Sequence, residues 1–214
     1  MLEKYSYINY TKLPEFDCHI LSGNTDMLEQ RITNLLCSNG KEKTAEHVIS
    51  VADTCVQVAE KFGLDTAKAR VCGLLHDISA VISPRDMTAY AVGENWYMDE
   101  SEKKYPFILH QRISAVIAGE DFYIRDKSVL SAVECHSTLK YNPSDYDMVL
   151  FLSDKLSWDK EETAPFYEIV SEALEKSLIS AVCAYFDFAI KNGLILQPHK
   201  WFIEARNWLN FFQK

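Results

Sequence analysis

Positive charge is scarce in this chain: 22 lysines and arginines stand against 31 aspartates and glutamates, a formal net charge of -9 over 214 residues. A protein that grips nucleic-acid backbone or an anionic membrane surface presents a basic stripe, so this balance argues against both. An anionic substrate would instead need a local positive site. Long apolar runs are missing too. No stretch approaches the ~18 continuous apolar residues that span a bilayer. The opening Met-Leu-Glu-Lys-Tyr-Ser-Tyr has no basic segment followed by an apolar one, so a cytoplasmic protein is expected. The six cysteines, at 18, 37, 55, 72, 135 and 183, form no CxxC or zinc-ribbon pair. They are expected to be reduced and buried, with Cys55 and Cys72 as small core residues on apolar helical faces.

Alternation of polar and apolar residues, the mark of half-buried strands, is nearly absent, whereas spacings near 3.6 residues recur throughout. The fold class read from this is all-α, one domain with no repeats or linker. Helices are expected from Asp26 as N-cap to Asn39-Gly40, from about Thr44 to Phe62, and from about Asp65 to His76. A short one follows Ser83-Pro84, leading into a charged loop up to Pro106. Others cover about 110–120, 126–136 and 144–158. A long apolar-periodic segment runs from Phe166 to Asn192-Gly193, and a last helix begins at Pro198. The last helix carries Trp201, Phe202, Ala205 and Trp208, read as core, with a homodimer contact as the alternative.

Chemistry concentrates on six residues. His47 starts an apolar stripe with Val51, Cys55 and Val58. His76 and Asp77 close the apolar run that contains Ala69, Cys72, Leu74 and Leu75. His110 shares a face with Ile113, Ser114 and Ile117, and His136 with Val129, Ala132 and Val133. Asp154 follows Leu150 and Phe151, so its carboxylate is carried toward an apolar layer, where an unpaired charge is costly. Any one of these is more often a core or cap residue than a ligand. Four of the six histidines and two aspartates on inward faces form a set whose order and spacing would gather them around one metal centre. His19, in the irregular N-terminal stretch, and His199, after Pro198, read as structural.

The order His47, then Gly73-Leu-Leu-His-Asp77, then His110-Gln-Arg-Ile-Ser-Ala115, then Ala132-Val-Glu-Cys-His136-Ser-Thr138, then Leu152-Ser-Asp154 resembles the HD-domain metal-dependent phosphohydrolases. Within them it is most similar to the YqeK-type symmetrical diadenosine tetraphosphate hydrolases, which also finish near a Pro-containing turn and an Asn-Trp-Leu helix, here Gln197-Pro198 and Asn207-Trp-Leu209. The resemblance spans about residues 44 to 210 and implies a helical hydrolase domain over 41–214, with residues 1–40 an N-terminal extension packing on it.

It further implies that His47, His76, Asp77 and Asp154 hold one divalent ion and that Asp77 bridges to a second held by His110 and His136. Asp77 and His110 become the expected catalytic residues. Imidazole and carboxylate suit iron, manganese, nickel or zinc, and the family favours iron. A metal-activated water would cleave a phosphoanhydride bond, for a dinucleoside tetraphosphate the one between the middle phosphates, giving two nucleoside diphosphates. Arg112, Ser137, Thr138 and Lys160 are the expected substrate contacts.

The pattern is not complete. The lysine expected three residues after the HD aspartate is Ala80, the Thr-Thr-Gly or Thr-Ser-Gly motif reads Ser137-Thr138-Leu139, and Glu-Pro-x-Arg reads Ser157-Trp158-Asp159-Lys160. A nucleoside monophosphate phosphatase and a non-catalytic, metal-containing nucleotide-binding domain are therefore the competing functions, with a purely structural helical protein behind them.

Overall fold

The computed structural model describes residues 25–158 and 163–212, and among these it contains eleven α-helices and no strand. In order they are α1 (Asp26–Ser38), α2 (Glu42–Lys61), α3 (Thr66–Leu75), α4 (Pro84–Gly93), α5 (Glu100–Lys104), α6 (His110–Glu120), α7 (Lys127–Cys135), α8 (Asp145–Leu156), α9 (Tyr167–Leu174), α10 (Leu178–Lys191) and α11 (Lys200–Phe212), with 3-10 turns at Ile78–Val81 and Pro106–Leu109. No helix among the described residues is long and apolar enough to cross a membrane.

The caps explain most boundaries. Helix α2 ends where Gly63, at φ +66°, turns the chain so that the Gly63 and Leu64 N–H groups donate back to Glu60 and Ala59. Asp65 then accepts from the Lys68 N–H and starts α3. Ser144 and Asp147 form a reciprocal capping box that starts α8. Helix α2 lies along α3, both lie against α8, and α7 closes the group by contacting α3, α6 and α8. Gly73 makes the closest of these approaches: a Cβ there would overlap the Ala52 backbone, 2.7 Å from its nitrogen. This close crossing brings the His47 turn of α2 beside the end of α3.

Helix α1 packs on α2 and α3 through Leu28, Ile32, Leu35 and Leu36, all nearly inaccessible. On the other side, α9 and α10 pair with each other, α10 reaches α8, and α11 reaches α10.

Several sequence expectations need correction. The segment from Phe166 to Asn192 is two helices, because Ser177 leaves the helical region at φ -169° and caps α10 through the Ser180 N–H. The expected loop up to Pro106 holds α5, fixed by an Asp99–Glu102 capping box. Thr25, and not Asp26, stands at the N-cap of α1. Cys55, Cys72, Cys135 and Cys183 are buried and free, but Cys37 is exposed; Cys18 and His19 lie outside the described residues. Of the C-terminal aromatics, Phe202 is core and Trp201 and Trp208 are half-buried.

Candidate metal centre and adjoining cavity

His76, His110 and His136 share one local device. Each follows the last residue of a helix or 3-10 turn, and each directs Nδ1 at the carbonyl three residues back, of Gly73 (2.7 Å), Phe107 (2.7 Å) and Val133 (2.9 Å). A carbonyl oxygen can only accept, so Nδ1 carries the hydrogen and Nε2 presents a lone pair. All three Nε2 atoms face one point between α2, α3, α6, α7 and α8, where α2 adds His47 and α8 adds Asp154.

The structure therefore brings the six residues together. His47 Nε2 lies 3.2 Å from Asp154 Oδ1, and His76 Nε2 lies 3.6 Å from the same oxygen. Asp77 turns Oδ1 toward His110 and His136, at 3.4 and 3.6 Å, and Oδ2 toward His76, at 3.6 Å. Ring centroids of neighbouring imidazoles are 4.8 to 5.2 Å apart. Two sets of ligand atoms each fall within 4.8 Å of one another: His47, His76 and Asp154, and His76, Asp77 and His136.

Two observations fit this set to metal. Nε2 of His76, on a wholly inaccessible side chain, has no hydrogen-bond partner. Nε2 of His110 and Nε2 of His136 face each other at 2.9 Å, and with both Nδ1 hydrogens committed to carbonyls these are two lone pairs in contact. Acceptors converging on acceptors are stable only around a positive centre. HD domains bind divalent metals, and imidazole with carboxylate is the donor chemistry such ions take.

Electrostatics follow the same geometry. Burial resists ionisation of Asp77, but His76, His136 and His110 outweigh it and hold the carboxyl far below the usual range. Burial, reinforced by His110 and His76, pushes His136 down to about 4 against the pull of Asp77. For Asp154, burial is overcome by Lys155, His47 and His76, and the carboxyl is held low. Lys155 is pulled down by burial yet ends above its ordinary value because Asp154 stabilises the ammonium.

Beside the cluster lies a cavity of about 240 Å³, with His110, Ser137 and Thr138 on one wall, Phe151, Lys155 and Tyr185 on another, and residues 194–197 across it. Ser137 Oγ is 3.2 Å from His110 Nε2. Thr138 also lines the cavity, but its hydroxyl is engaged by the Gln111 side-chain amide (3.2 Å) and donates to the Leu139 carbonyl (2.9 Å).

Arg112 is not brought to this cavity. It donates to both Glu102 carboxylate oxygens at 3.1 Å and to the Tyr97 carbonyl, and stacks 4.2 Å over Trp96. On a helix, residues two apart face away from each other, so nearness to His110 in sequence turned Arg112 outward. Lys160 lies outside the described residues. Ala80 packs on the core from its 3-10 turn. Leu139, where the family pattern has glycine, holds φ +53° while fully buried, a conformation that costs a side-chain-bearing residue about 1–3 kcal/mol.

Sequence reasoning missed three residues. Lys155 bonds Asp154 and lines the cavity. Gln111, wholly buried, accepts from the Ser137 N–H and ties α6 to the His136 turn. Ser79 donates to the His110 carbonyl at 2.9 Å. A glutamine inside the apolar stripe of α6 was the one readable signal among them.

Comparison with known proteins gives the family. The chain matches the HD domain family over residues 44–159, a span that holds all six clustered side chains. An uncharacterised Lactococcus lactis protein, encoded in the pepC 5′ region, is 40% identical over 143 residues, covering 67% of this chain and 73% of that one. A Staphylococcus aureus symmetrical bis(5′-nucleosyl)-tetraphosphatase is 29% identical over 53% of this chain and 58% of its own length. The crystal structure of a Clostridium acetobutylicum protein, described as a predicted HD superfamily hydrolase involved in NAD metabolism, superposes with a TM-score of 0.77 at 27% identity, over 86% of this chain and 97% of that one. An all-α bundle, an His76-Asp77 pair at the centre of converging imidazoles and this family match lead to one conclusion: the chain belongs to the HD domain family.

Proposed function

We propose that this chain is a divalent-metal-dependent phosphohydrolase that cleaves a phosphoanhydride bond of a nucleotide of the dinucleoside polyphosphate class, splitting diadenosine tetraphosphate into two molecules of ADP. The observation that carries it is the shared wall: His110 belongs both to the imidazole–carboxylate cluster and to an aromatic-sided cavity of about 240 Å³. That volume lies just below the ~300 Å³ lower end for drug-sized ligands, which suits one nucleoside unit with its phosphates directed at the cluster. The names borne by the S. aureus and C. acetobutylicum relatives, a tetraphosphatase and a hydrolase of NAD metabolism, support nucleotide chemistry.

In this reading His47, His76, Asp77 and Asp154 would hold one ion, iron foremost, and His110 and His136 would hold the second with Asp77 shared between them. When bound, such ions supply a water acidified to near-neutral pKa and charge neutralisation at the phosphoryl oxygens. The chain's own residues do the rest. Asp77, with one oxygen toward each half of the cluster, fixes the spacing of the halves. The Phe107 and Val133 carbonyls hold His110 and His136 in the tautomer that offers Nε2. Ser137, facing the cavity beside His110, can donate its hydroxyl proton to a phosphoryl oxygen, and the apolar Phe151 and Tyr185 wall excludes water from the nucleoside side. In the same reading the hydrolase domain spans 41–214 and residues 1–40 are an N-terminal extension; its described helix, α1, lies ahead of the family match and packs on α2 and α3.

The test is to load the purified chain with iron or manganese, incubate it with diadenosine tetraphosphate and separate the products. ADP alone is expected. Unchanged substrate from a metal-saturated protein contradicts the proposal. Inorganic phosphate released from AMP would instead support the monophosphatase reading, which a one-nucleoside cavity also suits.

A further inference from the structure

We propose that Lys155 reads the phosphate charge of the substrate, its ammonium group passing from Asp154 to the terminal phosphate of a nucleoside diphosphate unit seated in the cavity. The inference rests on the hydrolase reading and adds a residue that its sequence pattern does not supply.

The two oxygens of Asp154 face different environments. Oδ1 looks into the cluster, 3.2 Å from His47 Nε2 and 3.6 Å from His76 Nε2. Oδ2 accepts from Lys155 Nζ at 2.6 Å. Lys155 stands where cluster and cavity adjoin, only 17% exposed, with Nζ 5.1 Å from the centre of the Phe151 ring. Among the described residues that line the cavity it is the only lysine or arginine. A cation on the Oδ1 side draws charge from the carboxylate and so loosens the hold of Oδ2 on the ammonium. A phosphate entering from the cavity then meets a fixed positive charge in a wall with little competing water, where a charge-assisted hydrogen bond is strong. Arg112 cannot serve, since Glu102 and Trp96 hold it elsewhere. In a chain of net charge -9, this places a local positive group where an anionic substrate would need one.

The alternative is that Lys155 only neutralises and orients Asp154, and binding measurements separate the two. Metal-loaded wild type, Lys155→Met and Lys155→Arg are titrated calorimetrically with ADP and with adenosine, and metal content is measured on the same samples. The expected result is that Lys155→Met keeps its metal and its adenosine affinity but binds ADP about tenfold or more weakly, the loss of one charge-assisted bond. Lys155→Arg should retain most of the ADP affinity. Parallel weakening of ADP and adenosine, unchanged ADP affinity, loss of metal from Lys155→Met, or a wild type that does not prefer ADP to adenosine would each overturn the inference. The hydrolase reading is judged separately, by turnover of wild type against Asp77→Ala.

Discussion

Among the buried polar groups of the described residues, those around Glu102 and those around His76 are built on opposite principles. Around Glu102, 1% exposed, every neighbour is a donor: Arg112 gives to both carboxylate oxygens, the Asp99 N–H gives at 2.8 Å, and His199 Nε2 stands 3.6 Å away. Around His76, wholly inaccessible, the neighbours are acceptors: carboxylate oxygens and imidazole lone pairs pointing inward. Glu102, with hydrogen-bond donors on both oxygens, ties α5 to α6 and needs no ion. Convergent acceptors raise the energy of the fold unless a cation joins them, and a protein retains such an arrangement for what the cation does.

The comparison breaks if the two groups respond alike to substitution. Asp77→Ala should lower turnover on the order of 10³-fold or more and strip bound metal, while the metal-free protein still unfolds cooperatively. Arg112→Ala should do the reverse: stability measured by urea unfolding falls by about 3–5 kcal/mol because Glu102 is left as an uncompensated buried charge. Its metal content should be unchanged, since Arg112 touches none of the six clustered side chains. Gly73→Ala lies between these, forcing α2 from α3 at Ala52 at a cost of about 1–3 kcal/mol and weakening metal retention by displacing His47 from His76.

The smallest effect is in pH, and it separates the groups by window. In metal-free protein the unfolded chain protonates His136 below its ordinary 6.5, whereas the folded state holds the proton off until about 4. The unfolded state binds more protons across that interval, so stability falls as pH drops from 6.5 toward 4. For Glu102, burial resists ionisation, but His199, the Asp99 N–H and Arg112 hold the carboxyl below its ordinary 4.5. Its contribution is present above 4.5 and lost as pH falls below that. Chelator-treated protein, followed by thermal melts against pH, should therefore begin to lose stability well above 4.5, and metal-loaded protein should resist that first loss.

The sequence carried the helical class and the six inward residues because both are local facts, a 3.6-residue period and the face on which each side chain falls. It carried less where tertiary contact decides. The apolar period runs through Glu175 to Ser177 without a break, and only the extended backbone at Ser177 divides α9 from α10. Nearness to His110 along the chain suggests Arg112 as a phosphate contact, but its helical phase turns it to Glu102. Lys155, next to Asp154, carries no sequence signal because its setting comes from Phe151 and Tyr185, the latter brought over from α10. Leu139 was legible as a departure from the family pattern. Its positive φ, which shows that the turn kept a glycine-favouring backbone, was not.

The central claim is that the inward acceptors around His76 and Asp77 exist to hold metal. Elemental analysis of the purified chain beside Asp77→Ala tests it most directly. The account predicts two divalent ions per wild-type chain and a marked loss in the variant. A wild-type protein that takes up no divalent ion from iron- or manganese-supplemented medium, or a variant that keeps the full complement, would contradict it.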